Sequence, residues 1–179
     1  MNRSTRWAAL ALAIAPFAAW PQGWQDGKGM PRPNNESHQA RDGFAGSVEV
    51  VTDADWRAKW DTPSSTVPNF NRARDVAKGQ KVFVLVFFAN PLPSAQGEVD
   101  VRCDLDLDRP DGGSALHQVD VPCFKGRIAG SLTNTYLSDP VVQFNADPPD
   151  PVGDWTMRVT LRDAVRQTSL SLKTAFHVH

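Results

Sequence analysis

A chain of 179 residues, 41% hydrophobic and 22% charged, carries enough apolar mass for one packed domain and lacks the composition of a disordered or fibrous protein. Its formal charge of -1 gives no basic footprint, which argues against nucleic acid as a partner. Two cysteines, Cys103 and Cys123, make no tetrahedral zinc site without nearby histidines, and their spacing is not the Cys-x-x-Cys of a redox pair.

The first residues bear on the compartment. Arg3 and Arg6 precede an uncharged, Ala-rich apolar run from Trp7 to Ala19. A spanning helix needs about 20 apolar residues, so this run is short for an anchor and fits a cleaved secretory signal over residues 1–19. Pro16 disfavours a cut after Ala15, so cleavage is expected near Ala18 or Ala19. The competing reading is an uncleaved amphipathic or anchoring tail. Export to the periplasm, with no stable membrane anchor, is the expectation. An oxidising compartment then makes Cys103–Cys123 a structural disulfide. A closed loop of about 20 residues is worth about 3 kcal/mol in the chain-entropy account.

Residues 20–43 are rich in Gly, Pro, Asn and charge and read as a flexible lead-in or an arm laid over a domain at 44–179. Trp20 and Trp24 are unusual for a linker and are candidate contact residues. Ser47 to Val51 alternates as a strand. Thr52 to Asp55 has a hydroxyl with an acid three residues on, a capping-box-like helix start. Trp56 and Trp60 follow at i and i+4 on one helical face, expected to close one end of the core; the sharper alternative is an aromatic ligand platform.

Lys81 to Ala89 is a nearly unbroken Val/Phe run bounded by Gly79 and Pro91, a buried central strand. From Glu98 to Asp108, Val99, Val101, Cys103, Leu105 and Leu107 share one face, and Glu98, Asp100, Arg102, Asp104, Asp106 and Asp108 the other. Cys103 therefore points inward. Pro110-Asp111-Gly112-Gly113 is a turn, followed by a strand from about Ala115 to Val121. Val141 to Phe144 is a short strand candidate, and Asp147-Pro148-Pro149-Asp150-Pro151 a stiff loop. Trp155, Met157, Val159 and Leu161, then Leu170, Leu172, Phe176 and Val178, alternate with polar residues as a closing hairpin. Short alternating strands with one helical turn predict an all-β, immunoglobulin-like antiparallel β-sandwich with one short helix and one internal disulfide.

No motif of catalysis stands in the chain: no Gly-x-Ser-x-Gly elbow, no phosphate-binding Gly-Lys loop and no His-Glu-x-x-His. The expectation is a non-enzyme with no cofactor. His177 and His179, at i and i+2, supply half a zinc or copper site with no further ligand at fixed spacing, so a solvated strand end is expected and a metal-handling protein is the alternative. Asp104-x-Asp106-x-Asp108 lacks the Gly and Glu of a calcium loop, whose positions hold Arg109 and Ala115. The three carboxylates read as a solvated face or as an acidic contact strip for a basic partner. With Asp111 in the adjoining turn, and Trp20 and Trp24, they form the predicted partner-binding set.

Taken together, Ala77-Lys78-Gly79-Gln80-Lys81, Arg109-Pro110-Asp111-Gly112, Gly153-Asp154-Trp155 leading into Met157 to Thr160 and Asp163, and the closing Ala175-Phe176-His177-Val178 resemble bacterial immunoglobulin-like exported domains over residues 45–178. The layout is similar to small periplasmic immunity proteins that accompany type VI secretion phospholipase effectors. That resemblance implies a periplasmic inhibitor whose partner is a cognate phospholipase toxin, bound at its active-site cleft. It supplies no transferable site residue. The competing function is an extracytoplasmic glycan- or envelope-protein-binding module, with Trp20, Trp24, Trp56 and Trp60 as its platform.

Overall fold

The computed structural model describes residues 33–62 and 68–179. The expected signal segment, Trp20 and Trp24 lie outside the described residues. In chain order the elements are β1 (His38–Arg41), β2 (Phe44–Val51), α1 (Trp56–Trp60), β3 (Asp75–Val76), β4 (Lys81–Ala89), β5 (Val99–Asp108), β6 (Ser114–Gly126), β7 (Thr135–Leu137), β8 (Val142–Asn145), β9 (Gly153–Asp163) and β10 (Thr168–Val178). Among the described residues no helix is long and apolar enough to cross a membrane.

Two sheets stack as a sandwich. The first runs β1-β2-β4, with β7 and β8 both pairing along the far edge of β4; the second runs β3-β10-β9-β5-β6. Among the described residues every strand pairing is antiparallel except the two-residue β3–β10 ladder. The all-β sandwich with one short helix and one disulfide is thus the fold the alternation implied. Val99, Val101, Cys103, Leu105 and Leu107 of β5, and Trp155, Met157, Val159 and Leu161 of β9, all face the core. They meet Phe44, Val48 and Val50 of β2 and Val82, Val84, Val86 and Phe88 of β4. Gly46 lets the layers close: a Cβ there would come 2.5 Å from Leu161 Cδ2.

The flanks are sealed by backbone bonds between layers. On one side Lys173 N donates to Glu36 O (2.6 Å); on the other Asp139 N donates to Cys123 O (2.8 Å). Cys103 and Cys123 join with Cα atoms 5.7 Å apart, both fully buried. The disulfide lies within the second sheet, between neighbours β5 and β6, where their register shifts. Those shifts, together with Asp120 at φ 57° and Pro122, keep the long outer strand β6 from running straight.

Three expectations are corrected. The ordered sheet begins before residue 44: β1 pairs with β2 through a two-residue Asp42-Gly43 turn, both at positive φ, the geometry that matches strand twist in a hairpin. The last residues of the expected lead-in are therefore an edge strand. The capping box does not form either. Asp55 caps α1 without a side-chain bond, and Thr52 Oγ1 turns to Asn71 O (3.5 Å). Finally, Trp56 and Trp60 do not close an end of the main core. They lie on the outer face of the first sheet, over Phe83 and Phe87 (ring centroids 6.3 and 5.3 Å apart), with Val51, Leu85, Phe70, Leu137 and Val141. The continuous apolar run of β4 explains this: its inward residues fill the sandwich, and its outward Phe83, Leu85 and Phe87 need a second cover.

Candidate functional site

Three surfaces compete for the role of contact site: the acidic strip, the loops at one pole, and the outer face of the first sheet. The strip comes first because the alternation of β5 singles it out. Asp104, Asp106 and Asp108 do point outward, but each meets a basic side chain from a neighbouring strand. Arg162 of β9 grips Asp104 with both terminal nitrogens, the Nη2–Oδ1 bond being 2.8 Å. His117 of β6 bonds Asp106 (2.6 Å), and Arg158 of β9 bonds Asp108 (2.9 Å). Arg102 pairs with Asp120 (2.7 Å) and Lys125 with Asp100 (3.4 Å). The strip is therefore a cross-strand ladder of acidic and basic side chains, in which each of the three carboxylates already has a neighbour. The registers Asp104↔Thr160, Asp106↔Arg158 and Asp108↔Thr156 bring the basic face of β9 alongside the acidic face of β5.

The ladder has an electrostatic consequence. The Arg162 guanidinium holds the Asp104 carboxyl below its ordinary value, against the opposing effect of burial and with help from the Asp120 N–H (2.8 Å). Asp120 is lowered as well, chiefly by Arg102. A depressed folded pKa stabilises fully above the unfolded value, about 3.9 for Asp, and the gain is lost as pH falls through the folded value. Arg162→Met is thus expected to cost most at neutral pH, with its deficit against wild type closing in acid. Urea midpoints at neutral pH and below about pH 3 check this; an equal deficit at both would assign the role of Arg162 to packing.

Asp111 stands exposed in the turn after β5, its Oδ1 accepting from Gly113 N (2.9 Å). Pro110 of this turn packs on Gly153, so the turn and the Asp147–Val152 loop form one pole. That loop is held from within. Asp147 N donates to Asp150 Oδ2 (2.9 Å), Lys78 Nζ donates to the carbonyls of Asp147 and Asp150, and Trp155 Nε1 donates to Pro151 O (3.1 Å). Val152 is 61% exposed at the same pole. His177 bonds Asp154 (2.7 Å) and does not converge with His179 on a shared ligand set; among the described residues no group of three His, Cys, Asp or Glu could hold a metal ion.

On the outer face of the first sheet lies a groove of about 430 Å³. Ser47, Glu49 and Phe87 form its floor, Asn35, Ser37 and His38 one bank, and Trp60, Phe70 and Arg72 the other. Buried Asp53 holds the aromatic bank in place. It accepts from Lys59 of α1 and from Asn71 N (2.6 Å) and Nδ2 (2.8 Å), tying the helix to the segment that carries Phe70 and Arg72. Burial pushes the Asp53 carboxyl up, yet Lys59 and the Asn71 donors together hold it below its ordinary value. Trp60 is the groove residue that the sequence marks as part of a candidate aromatic platform. Ser47, Glu49, Phe70, Phe87 and Arg72 come from strands and loops that meet only in the fold, and no local pattern marks them.

No family model matches the chain, and no curated protein matches it. Among solved structures, 75% of the chain is similar to a family 123 glycoside hydrolase from Clostridium perfringens, described for its hydrolysis of glycolipid glycans, at 8% identity and a TM-score of 0.43. The chain spans only 27% of that enzyme's length. A Niemann-Pick type C2 protein from the Japanese carpenter ant is similar over 74% of this chain and 89% of its own, at 9% identity and a TM-score of 0.35.

Proposed function

We propose that this is an exported, non-catalytic binding protein that serves as a periplasmic immunity protein, blocking the active-site cleft of a phospholipase toxin delivered by type VI secretion. The sequence resemblance set out above supports the reading. The observation that carries it is the pole formed by the Pro110–Gly113 turn and the Asp147–Val152 loop. It projects Asp111 and Val152 on backbone stiffened by Pro148, Pro149 and Pro151 and pinned by Lys78. A rigid projecting loop suits insertion into a cleft, because little conformational entropy is lost on binding. The acidic strip Asp104, Asp106 and Asp108 runs toward this pole through the Pro110–Gly113 turn and is proposed as its flank. Co-purification of the protein with a phospholipase encoded beside it is the expected result, weakened by Val152→Asp. The reading fails if no neighbouring toxin exists and deletion leaves the strain fully resistant to its kin.

A second reading, an extracytoplasmic glycan- or envelope-protein-binding module, is favoured by the aromatic-banked groove on the first sheet.

A further inference from the structure

The groove has a chemistry that narrows what can occupy it. Trp60 and Phe70 stand half-buried along one bank, and both rest on Phe87, with ring centroids 5.3 and 6.2 Å away. Their faces are fixed by packing before any ligand arrives. Arg72 Nη2 donates to Glu49 Oε1, so among the described lining residues the one arginine and the one carboxylate are paired with each other. The guanidinium keeps further N–H groups and the carboxylate a second oxygen. Beside them, Ser47 and Asn35 add a hydroxyl and an amide. The Arg72–Glu49 pair is thus neutral in sum, and the groove is apolar on one side and densely supplied with donors and acceptors on the other.

That combination excludes several occupants. An acyl chain would strip water from Glu49, Arg72 and Asn35 and return no hydrogen bonds, which is costly. A phosphate or carboxylate would gain from Arg72 only by facing Glu49 as well. A cation meets the reverse conflict. A sugar ring suits all the parts: its C–H face lies against an indole or phenyl face, and its hydroxyls both donate and accept. The volume of about 430 Å³ lies in the range of small-molecule sites.

We propose that this groove is a saccharide-binding site for a neutral oligosaccharide, with Trp60 and Phe70 as stacking surfaces and the Arg72–Glu49 pair as the hydroxyl-reading group. The inference rests on the second functional reading and gives it a site and a ligand class.

The test is titration calorimetry of the full exported chain against cellopentaose, xylopentaose, maltopentaose and chitotetraose, with an oligogalacturonate as the anionic comparison. At least one neutral sugar is expected to bind. Trp60→Ala removes the stacking face. Arg72→Ala, at an exposed position, serves where the Trp60 variant is unstable, circular dichroism being the folding control. Loss of hydrogen bonds to a charged group predicts about a tenfold weakening for Arg72→Ala. Binding that survives undiminished in both folded variants overturns the site and leaves a glycan-binding protein with its surface elsewhere. Tighter binding of the oligogalacturonate overturns the neutral class. Failure of the wild type to bind any sugar overturns the inference and the glycan reading together.

Discussion

Asp163→Ala is expected to lower stability by about 3–5 kcal/mol, the range for removing one partner of a buried ion pair. The side chain is fully buried at the end of β9. Its Oδ1 accepts from Val165 N (3.1 Å) and Arg166 N (3.0 Å), shaping the turn into β10; its Oδ2 accepts from Leu92 N (2.7 Å) and Arg166 Nε (3.2 Å). Arg166 in turn reaches Asp42 O (2.7 Å) and Asn90 O (3.0 Å), and Asn90 Nδ2 donates to Gly43 O (2.8 Å). One carboxylate therefore binds the closing hairpin of the second sheet to the hairpin turn and central strand of the first. Alanine leaves these donors without their acceptor in a region water reaches poorly, and the layers lose a shared clamp. Urea denaturation measures the loss. A deficit below about 1 kcal/mol would show that the turns hold together without the carboxylate.

Val159→Asp is the second large effect: no soluble folded protein is expected. Val159 is buried in the middle of β9, opposite Leu105 of β5 and Leu172 of β10, facing the other sheet. A carboxylate there has no cation within the core, and desolvating it costs more than a domain's net stability can absorb. Ser171→Asp provides the contrast. Ser171 is exposed on the outer face of β10, opposite Thr160, and a charge there is expected to shift stability by no more than about 0.5 kcal/mol. Soluble yield and far-ultraviolet circular dichroism distinguish the two. Equal behaviour of the variants would mean that the inward and outward faces of this hairpin are misassigned.

The long strands were legible because period-two alternation is a strong signal when one face is buried. The inward residues of β5, Val99 to Leu107, are all nearly inaccessible, as are the four of β9. The short strands were not: β3 and β7 have two and three residues, too few to show a period. β1 was hidden by the Gly-, Pro- and Asn-rich residues before it, although Arg41-Asp42-Gly43-Phe44 carries the Asp-Gly hairpin signal. The acidic strip shows the limit of single-strand reasoning. Alternation correctly turned Asp104, Asp106 and Asp108 outward, and it turned Arg158 and Arg162 outward too. Only the pairing of β5 with β9, strands separated in sequence by β6, β7 and β8, reveals that these charges answer one another. The groove was less accessible still, since its banks come from β1, α1 and the segment through Phe70 and Arg72, which no local period relates.

The broken course of β6 restricts how any macromolecule can engage this protein. Many extended peptides and pilus-type subunits bind by adding a strand to a free sheet edge, where a continuous row of main-chain groups gives affinity with little regard to sequence. Here β6 offers that row only in fragments, interrupted at its register shifts, at the left-handed Asp120 and at Pro122, which has no N–H to give. The first sheet ends in the four-residue β1 and in the β7–β8 pair, split around Pro140, and the second ends in the two-residue β3. Recognition by main-chain zippering is thereby disfavoured at each described edge. Such edges favour a partner that reads side chains, on a sheet face or at a loop pole, where complementary shape and charge are open to change by single substitutions.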